Sequence, residues 1–254
     1  MSRLRARCPH CRTLTAVAVD AAYECHSCGT AFAAGLVRVP RAWGGGGEEL
    51  AAAAHVDLPY PETAVVERET LEEQTDAVAE ALPAMPLVVG GCCCAHLGAI
   101  RGLARRHGRL GLVWLDAHGD LNTPETSPSG NLWGMPLRMA IDHGDVQAGD
   151  VALVGARALD PGEAAFLAEA GIDADLERAL QGPAAVYVAL DVDVLDPAIT
   201  PSFVPEPGGL LVEQVEDVLR RAHARLPVAG AGITGHVPRT DTALLARLAV
   251  ALGL

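Results

Sequence analysis

The sequence predicts an α/β protein with a mainly parallel sheet, preceded by a small N-terminal zinc ribbon. Three observations carry this. Apolar, strand-like runs alternate with helical patterns along most of the chain, the order of a doubly wound sheet. The strand runs are continuously apolar rather than alternating, which marks strands buried on both faces. Four cysteines near the N-terminus form two Cys-x-x-Cys pairs, Cys8 with Cys11 and Cys25 with Cys28.

The ribbon comes first. Thirteen residues separate the two pairs, slightly under the usual window for a four-thiolate site. Each pair makes a tight turn that can set two thiolates on one tetrahedral ion. Residues 13–19 and 31–39 are expected as the ribbon strands. A segment of about 30 residues cannot bury a core of its own, so a structural zinc would supply its folding energy. A metal-free reduced tail is the alternative. A redox role suits one pair better than two. His10 and His26 lie inside the two loops and are read as bystanders. The expected division is residues 1–34 for the ribbon and 35–254 for the main domain.

Past the glycine run at 44–47, strands are expected at 86–90, 110–116, 151–156, 184–193 and 228–234. Helices are expected at 70–82, 95–107, 161–170, 210–224 and 240–252. In such a sheet, functional groups gather at the carboxyl ends of the strands.

Composition excludes several classes. Half of the 254 residues are apolar, yet no apolar run reaches the roughly 18 residues of a membrane span. No N-terminal pattern reads as a signal peptide, so a cytoplasmic location is expected. All 19 basic residues are arginine, which removes lysine nucleophiles and Schiff bases. A formal charge of −13 makes nucleic acid an unfavourable partner for the body of the protein. The first 41 residues differ, with six arginines (3, 5, 7, 12, 38 and 41) against Asp20 and Glu24. Seven cysteines, three of them adjacent at 92–94, do not suit a secreted disulfide framework.

The chemistry lies at two strand ends. Asp116-Ala117-His118-Gly119-Asp120 closes one apolar run and Asp191-Val192-Asp193 closes another. Alternation along an extended segment brings Asp116, His118 and Asp120 to one side, and likewise Asp191 and Asp193. Four carboxylates and an imidazole around one point repel one another without a cation. Two divalent ions about 3.5–4 Å apart, bridged by carboxylates, resolve this and acidify a bridging water. The plain alternative is a chance run followed by a helix cap.

Several stretches together resemble the arginase/agmatinase (ureohydrolase) family in order and spacing. They are Gly90-Gly91, the 116–120 and 191–193 motifs, Ser129-Gly130-Asn131-Leu132-Trp133-Gly134-Met135-Pro136, Asp196-Pro197 and Gly208-Gly209-Leu210. The resemblance runs from about residue 36 to the end. It implies a three-layer α/β/α fold, a dinuclear manganese site and hydrolysis of guanidinium compounds. It also implies a homo-oligomer, a trimer or hexamer. By position, Asp116 and Asp191 would bridge the metals, while Asp193 and His118 would complete site B. Asp120 would bind the metal of site A and hydrogen-bond the bridging hydroxide. Asn122, Ser129 and Asn131 match substrate-holding positions, although turn stabilisation suits the same residue types.

Three departures qualify the resemblance. The family's Gly-Gly-Asp-His-Ser becomes Gly90-Gly91-Cys92-Cys93-Cys94, so the site A histidine aligns with Cys93. A thiolate shifts preference from manganese toward zinc or iron. His96 is a substitute ligand one helical turn away, and close packing is the plain role of the three thiols. The histidine of many arginases is Trp133, either a wall of the substrate pocket or core packing. The guanidinium-pairing glutamate is absent, with Gly235 or His236 in its place. A guanidinium without its carboxylate is poorly held. His236 could instead act as acid, base or ligand for another, even anionic, substrate.

The leading expectation is therefore a metal-dependent hydrolase of a non-peptide C–N bond in a small molecule, working through a metal-bridged hydroxide. The alternatives are a catalytically silent metal-binding protein acting through its ribbon, and a single-zinc deacetylase-like amidohydrolase.

Overall fold

In the computed structural model, residues 5–19, 22–252 and 254 are described. Arg3 and Asp20, both counted in the N-terminal charge, lie outside them. The ribbon is a four-stranded antiparallel sheet in the order β1 (Arg5–Ala6), β2 (Ala16–Val19), β3 (Ala22–Cys25) and β4 (Ala31–Phe32).

The main domain follows as β5 (Ala34–Val39), α1 (Gly47–Ala53), β6 (Glu62–Val65), α2 (Leu71–Ala81), β7 (Met85–Gly90), α3 (Ala95–His107) and β8 (Leu110–Leu115). It continues through α4 (Pro136–Asp142), β9 (Val151–Val154), α5 (Pro161–Ala170), α6 (Leu176–Ala179) and β10 (Ala185–Asp191). It closes with α7 (Val212–Arg225), β11 (Val228–Thr234) and α8 (Thr242–Ala251). Its seven strands pair in the order β6-β5-β7-β11-β10-β8-β9, and every pairing is parallel.

The strands point alternate residues to two separate apolar layers. Val113, Leu115, Val188 and Leu190 pack toward α6, α7 and α8. Leu112, Trp114, Tyr187 and Ala189 pack toward α2, α3 and α4. Burial on both faces explains why the strands read as unbroken apolar runs. Helix starts follow capping chemistry: Thr70 and Glu73 form a reciprocal capping box on α2, and on α5 the Glu163 carboxylate accepts the Asp160 N–H at 2.9 Å.

The expected ribbon strand 31–39 is in fact two strands. Residues 31–32 stay in the ribbon, while β5 joins the large sheet beside β7. All six β5 residues are buried, an environment that a ribbon edge cannot offer. The expected strand 184–193 ends at Asp191, where the chain enters a single 3-10 turn over Val192–Val194. Helices α1, α4 and α6 and strand β6 went unread because each is short and lacks a clear period.

The ribbon packs firmly on the body. Phe32 stacks on Tyr23 at 5.4 Å and meets Tyr60 edge-on at 6.3 Å, and Tyr60 Oη donates to the Leu254 carbonyl. Ala6, Cys8, Ala16 and Cys25 belong to the same buried layer as α7 and α8. This contact lies at the end of the sheet where β5 begins, away from the carboxyl ends of the strands.

Candidate metal centre

The strand order brings the sequence motifs together. Helix α3 carries the chain from β7 past two strand positions to β8, and β10 and β11 later fill the gap. The carboxyl ends of β7, β11, β10 and β8 therefore sit side by side. From them project Cys93, Thr234, Asp191 and Asp116.

The ligands converge through turns rather than through strand alternation. Asp116 Oδ1 accepts the His118 N–H at 2.7 Å, and Asp191 Oδ1 accepts the Asp193 N–H at 2.9 Å. Each aspartate ends its own strand with a side-chain turn two residues long. Asp120 then takes a left-handed backbone, φ 52°. Extended alternation, the expected geometry, is thus not what sets Asp116 beside His118 or Asp191 beside Asp193.

Two triads share Asp116. Ligand atoms of Cys93, Asp116 and Asp191 lie within 4.8 Å of one another, as do those of Asp116, His118 and Asp193. Cys93 Sγ is 3.0 Å from Asp191 Oδ2 and 3.9 Å from Asp116 Oδ2. His118 Nδ1 is 3.0 Å from Asp193 Oδ2 and 3.4 Å from Asp116 Oδ1. The positions are braced: Trp114 Nε1 donates to Asp116 Oδ2 at 3.1 Å, and the Ala117 N–H donates to Asp193 Oδ1 at 2.9 Å.

Electrostatics point to an ion. Burial, then the Asp193 charge, pushes Asp191 up to about 7. Burial, then the Asp116 charge, pushes Asp193 up to about 6. Burial also raises Asp116, and it raises Asp120 well above the usual carboxylate range. Burial alone would lower His118, but its bonds to Asp116 and Asp193 win and push it up to about 11. Burial and the neighbouring carboxylates hold the Cys93 thiol protonated. Asp120 Oδ2 is buried with no hydrogen-bond partner among the described residues. Buried like charges at Asp116, Asp191 and Asp193 are what divalent cations relieve, so these residues fit a metal pair.

A narrow cavity of about 30 Å³ opens over the cluster, walled by Leu50, Trp133, Phe203 and Val204. A wider outer cavity shares His118, Asp120, Trp133 and Val204 with it and adds Asn122, Ser129, Asp160, Glu163 and Glu206. No arginine among the described residues lines either one.

The other expected site residues divide. Trp133 lines both cavities, with its edge toward Phe203 at 6.0 Å and Nε1 donating to Gly45 O at 3.3 Å. Asn122 and Ser129 line the outer cavity, although the Asn122 amide is engaged with Asp160 Oδ2 and Thr126 Oγ1. Asn131 Oδ1 accepts the Gly45 N–H at 2.7 Å, and Asn131 lines neither cavity. His236 is not brought to the cluster: it is buried, with Nε2 donating to Ala53 O at 2.9 Å, and Gly235 lines the cavity in its stead. The His96 ring nitrogens face Tyr187 and Thr234, so it does not substitute for Cys93.

Sequence reasoning missed Glu163, Glu206 and Thr234. Glu163 was legible as the third residue of a capping box after Asp160, but its burial beside the cavity was not. No local pattern marks Thr234 or Glu206.

In the ribbon, the four sulfurs of Cys8, Cys11, Cys25 and Cys28 also lie within 4.8 Å of one another. Cys8 to Cys28 is 3.6 Å and Cys11 to Cys25 is 3.5 Å. A tetrahedron with arms of about 2.3 Å has edges of roughly 3.8 Å, close to this spacing. The Thr15 hydroxyl lowers Cys25 to about 5, which favours the thiolate that a metal needs.

Comparison with known proteins extends these observations. The pattern described as "Arginase family" matches residues 33–254. An arginase of Bacillus caldovelox is 37% identical over 155 residues, 49% of this chain and 52% of that protein. The alignment thus spans about half the length of that curated relative. Among solved structures, an arginase of Bacillus subtilis superposes with a TM-score of 0.74 at 22% identity, covering 86% of this chain and 96% of that one. A formimidoylglutamase of Bacillus subtilis superposes with a TM-score of 0.69 at 18% identity, covering 86% and 84%. These structural likenesses concern the fold.

Proposed function

The chain belongs to the arginase family, and from that premise we propose that it hydrolyses a non-peptide C–N bond in a small guanidino or amidino compound, using two divalent metals. The observation that carries this reading is the convergence of two ligand triads on the shared Asp116 beneath one cavity. A shared carboxylate also favours a metal pair over the single-zinc alternative. Cys93, Asp116 and Asp191 would hold one ion, and Asp116, Asp191, His118 and Asp193 the other. Manganese follows from family membership; the Cys93 thiolate favours zinc or iron at its site. When bound, such a pair supplies Lewis acidity to a planar carbon and acidifies a water.

The chain's own residues supply the rest. Asp120, buried and with one carboxyl oxygen free, is placed to accept a proton from the attacking water and return it to the leaving nitrogen. Trp133, Phe203, Leu50 and Val204 wall off solvent over the reacting group. With no arginine among the described residues in either cavity and with Asp160, Glu163 and Glu206 at the mouth, the site favours a neutral or cationic substrate over an anionic one.

The Cys8, Cys11, Cys25 and Cys28 cluster is proposed to hold one structural zinc, and assembly as a homo-oligomer is proposed from family membership. Turnover is tested by loading the full chain with manganese, zinc or iron in turn and screening guanidino, amidino and formimino compounds for release of urea, ammonia or formamide. Activity in one class that Asp120→Asn removes is expected. Metallated protein that hydrolyses none of them contradicts the proposal.

A further inference from the structure

Beneath the cluster lies a polar layer that the proposed chemistry leaves unused. His96, Tyr187 and Thr234 have no exposed surface. Tyr187 Oη is 2.9 Å from His96 Nδ1, and His96 Nε2 is 3.1 Å from Thr234 Oγ1. Thr234 Oγ1 in turn is 3.2 Å from Cys93 Sγ and 3.3 Å from Asp191 Oδ2. Polar side chains inside a parallel sheet are costly, and apolar ones would fill the space more cheaply. The sheet even makes room for them. A Cβ at Gly232 would lie 2.4 Å from Tyr187 Oη and 2.6 Å from His96 Cε1.

The direction of the chain follows from donor counts. Once Cys93 is a thiolate and Asp191 a carboxylate, neither has a proton to give. Thr234 must then point its one hydroxyl proton at this pair and must itself accept. A neutral imidazole offers one donor and one acceptor, so His96 Nε2–H donates to Thr234 and Nδ1 accepts from the Tyr187 hydroxyl. Every bond then runs toward the cluster.

We propose that His96, oriented by Tyr187, is a positioning residue that directs the single Thr234 hydroxyl proton between the Cys93 sulfur and the Asp191 carboxylate. This sets their site for a thiophilic divalent cation. The inference rests on the reading of Cys93 as a ligand. Donors aimed at a ligand sulfur take up part of its charge, and outer partners of this kind typically change metal affinity about 10–100-fold.

The test uses the full chain with its ribbon supplied with one equivalent of zinc and the body titrated with Co2+. The thiolate-to-cobalt band in the near ultraviolet reports the Cys93 bond, and the difference from Cys93→Ser isolates it from any ribbon signal. Thr234→Val and His96→Phe are expected to move the band to lower energy and to weaken cobalt binding about 10-fold or more. Thr234→Ser, which keeps the hydroxyl, and His96→Gln, which keeps a donor near the Nε2 position, should stay close to wild type. Circular dichroism of the metal-free variants checks folding, and Thr234→Val, which keeps the residue's shape, carries the test if His96→Phe does not fold. An unchanged band and affinity in Thr234→Val overturns the positioning role while Cys93 stands as a ligand. Equal losses in His96→Phe and His96→Gln also overturn it, because packing alone would then explain them. A wild-type spectrum identical to that of Cys93→Ser removes both the inference and the reading beneath it.

Discussion

Gly235 lies so close to Asp191 that a Cβ at position 235 would sit 1.8 Å from Asp191 Oδ1. Asp191 cannot simply swing aside. Its Oδ1 holds the Asp193 N–H, and its Oδ2 faces Cys93 and Thr234. The backbone at 235 is also left-handed, φ 67°, which costs a side-chain-bearing residue roughly 1–2 kcal/mol. Glutamate at this position therefore cannot restore guanidinium binding without breaking the cluster. Gly235→Ala and Gly235→Glu are both expected to lose body-bound metal in elemental analysis. Retention of the full complement by Gly235→Glu would contradict this.

Asp120 is expected to serve proton transfer more than metal retention, because it lies outside both ligand triads. Asp120→Asn should keep its metals while its rate falls about 10²–10⁴-fold, the usual span for a lost general base. Parallel metal analysis and turnover measurements separate the two roles. Loss of an ion along with activity would make Asp120 a ligand instead.

The ribbon is expected to melt with the body. Phe32 is buried against Tyr23 and Tyr60, so Phe32→Ala should cost about 3–5 kcal/mol, read from denaturant unfolding. Cys25→Ser, which breaks the four-sulfur cluster, should lower the midpoint of a single calorimetric transition. A separate early transition would show a ribbon that is energetically independent.

Acid should weaken the fold through His236. Burial pushes it down to about 4, against the opposing pull of its carbonyl bonds. Between that value and the unfolded value near 6.5, the unfolded chain binds a proton that the folded chain refuses. Its contribution is thus complete above about pH 6.5 and is lost as pH falls toward 4. His236→Gln keeps a donor for Ala53 O but does not titrate. On acidification across this window, wild type should lose on the order of 3 kcal/mol relative to the variant in urea unfolding. Parallel stability curves would contradict it. His96, held at about 3 by burial, acts in the same direction in both proteins and cancels.

Much of this protein was legible because its signals are local. The continuous apolar runs marked five of the seven parallel strands, and Asp116, His118, Asp191 and Asp193 stood out as charges closing such runs. What escaped depends on tertiary placement. Strand β5 reads as a continuation of the ribbon until the large sheet is seen to pair with it. Asn131 and His236 carry chemically competent groups, but the fold turns them toward the backbone of Gly45 and Ala53. Thr234 has no motif at all. It matters because β11 inserts between β7 and β10, which periodicity along the chain cannot reveal.

The most direct measurement is anomalous diffraction from crystals of the metal-loaded protein, collected on both sides of the manganese and zinc absorption edges. Two adjacent ions are expected in the body, one with Cys93 Sγ at about 2.3 Å and both touching Asp116, and a third ion among the four ribbon sulfurs. A single body ion at His118 and Asp193 with the Cys93 sulfur free, or no body ion, would contradict the account.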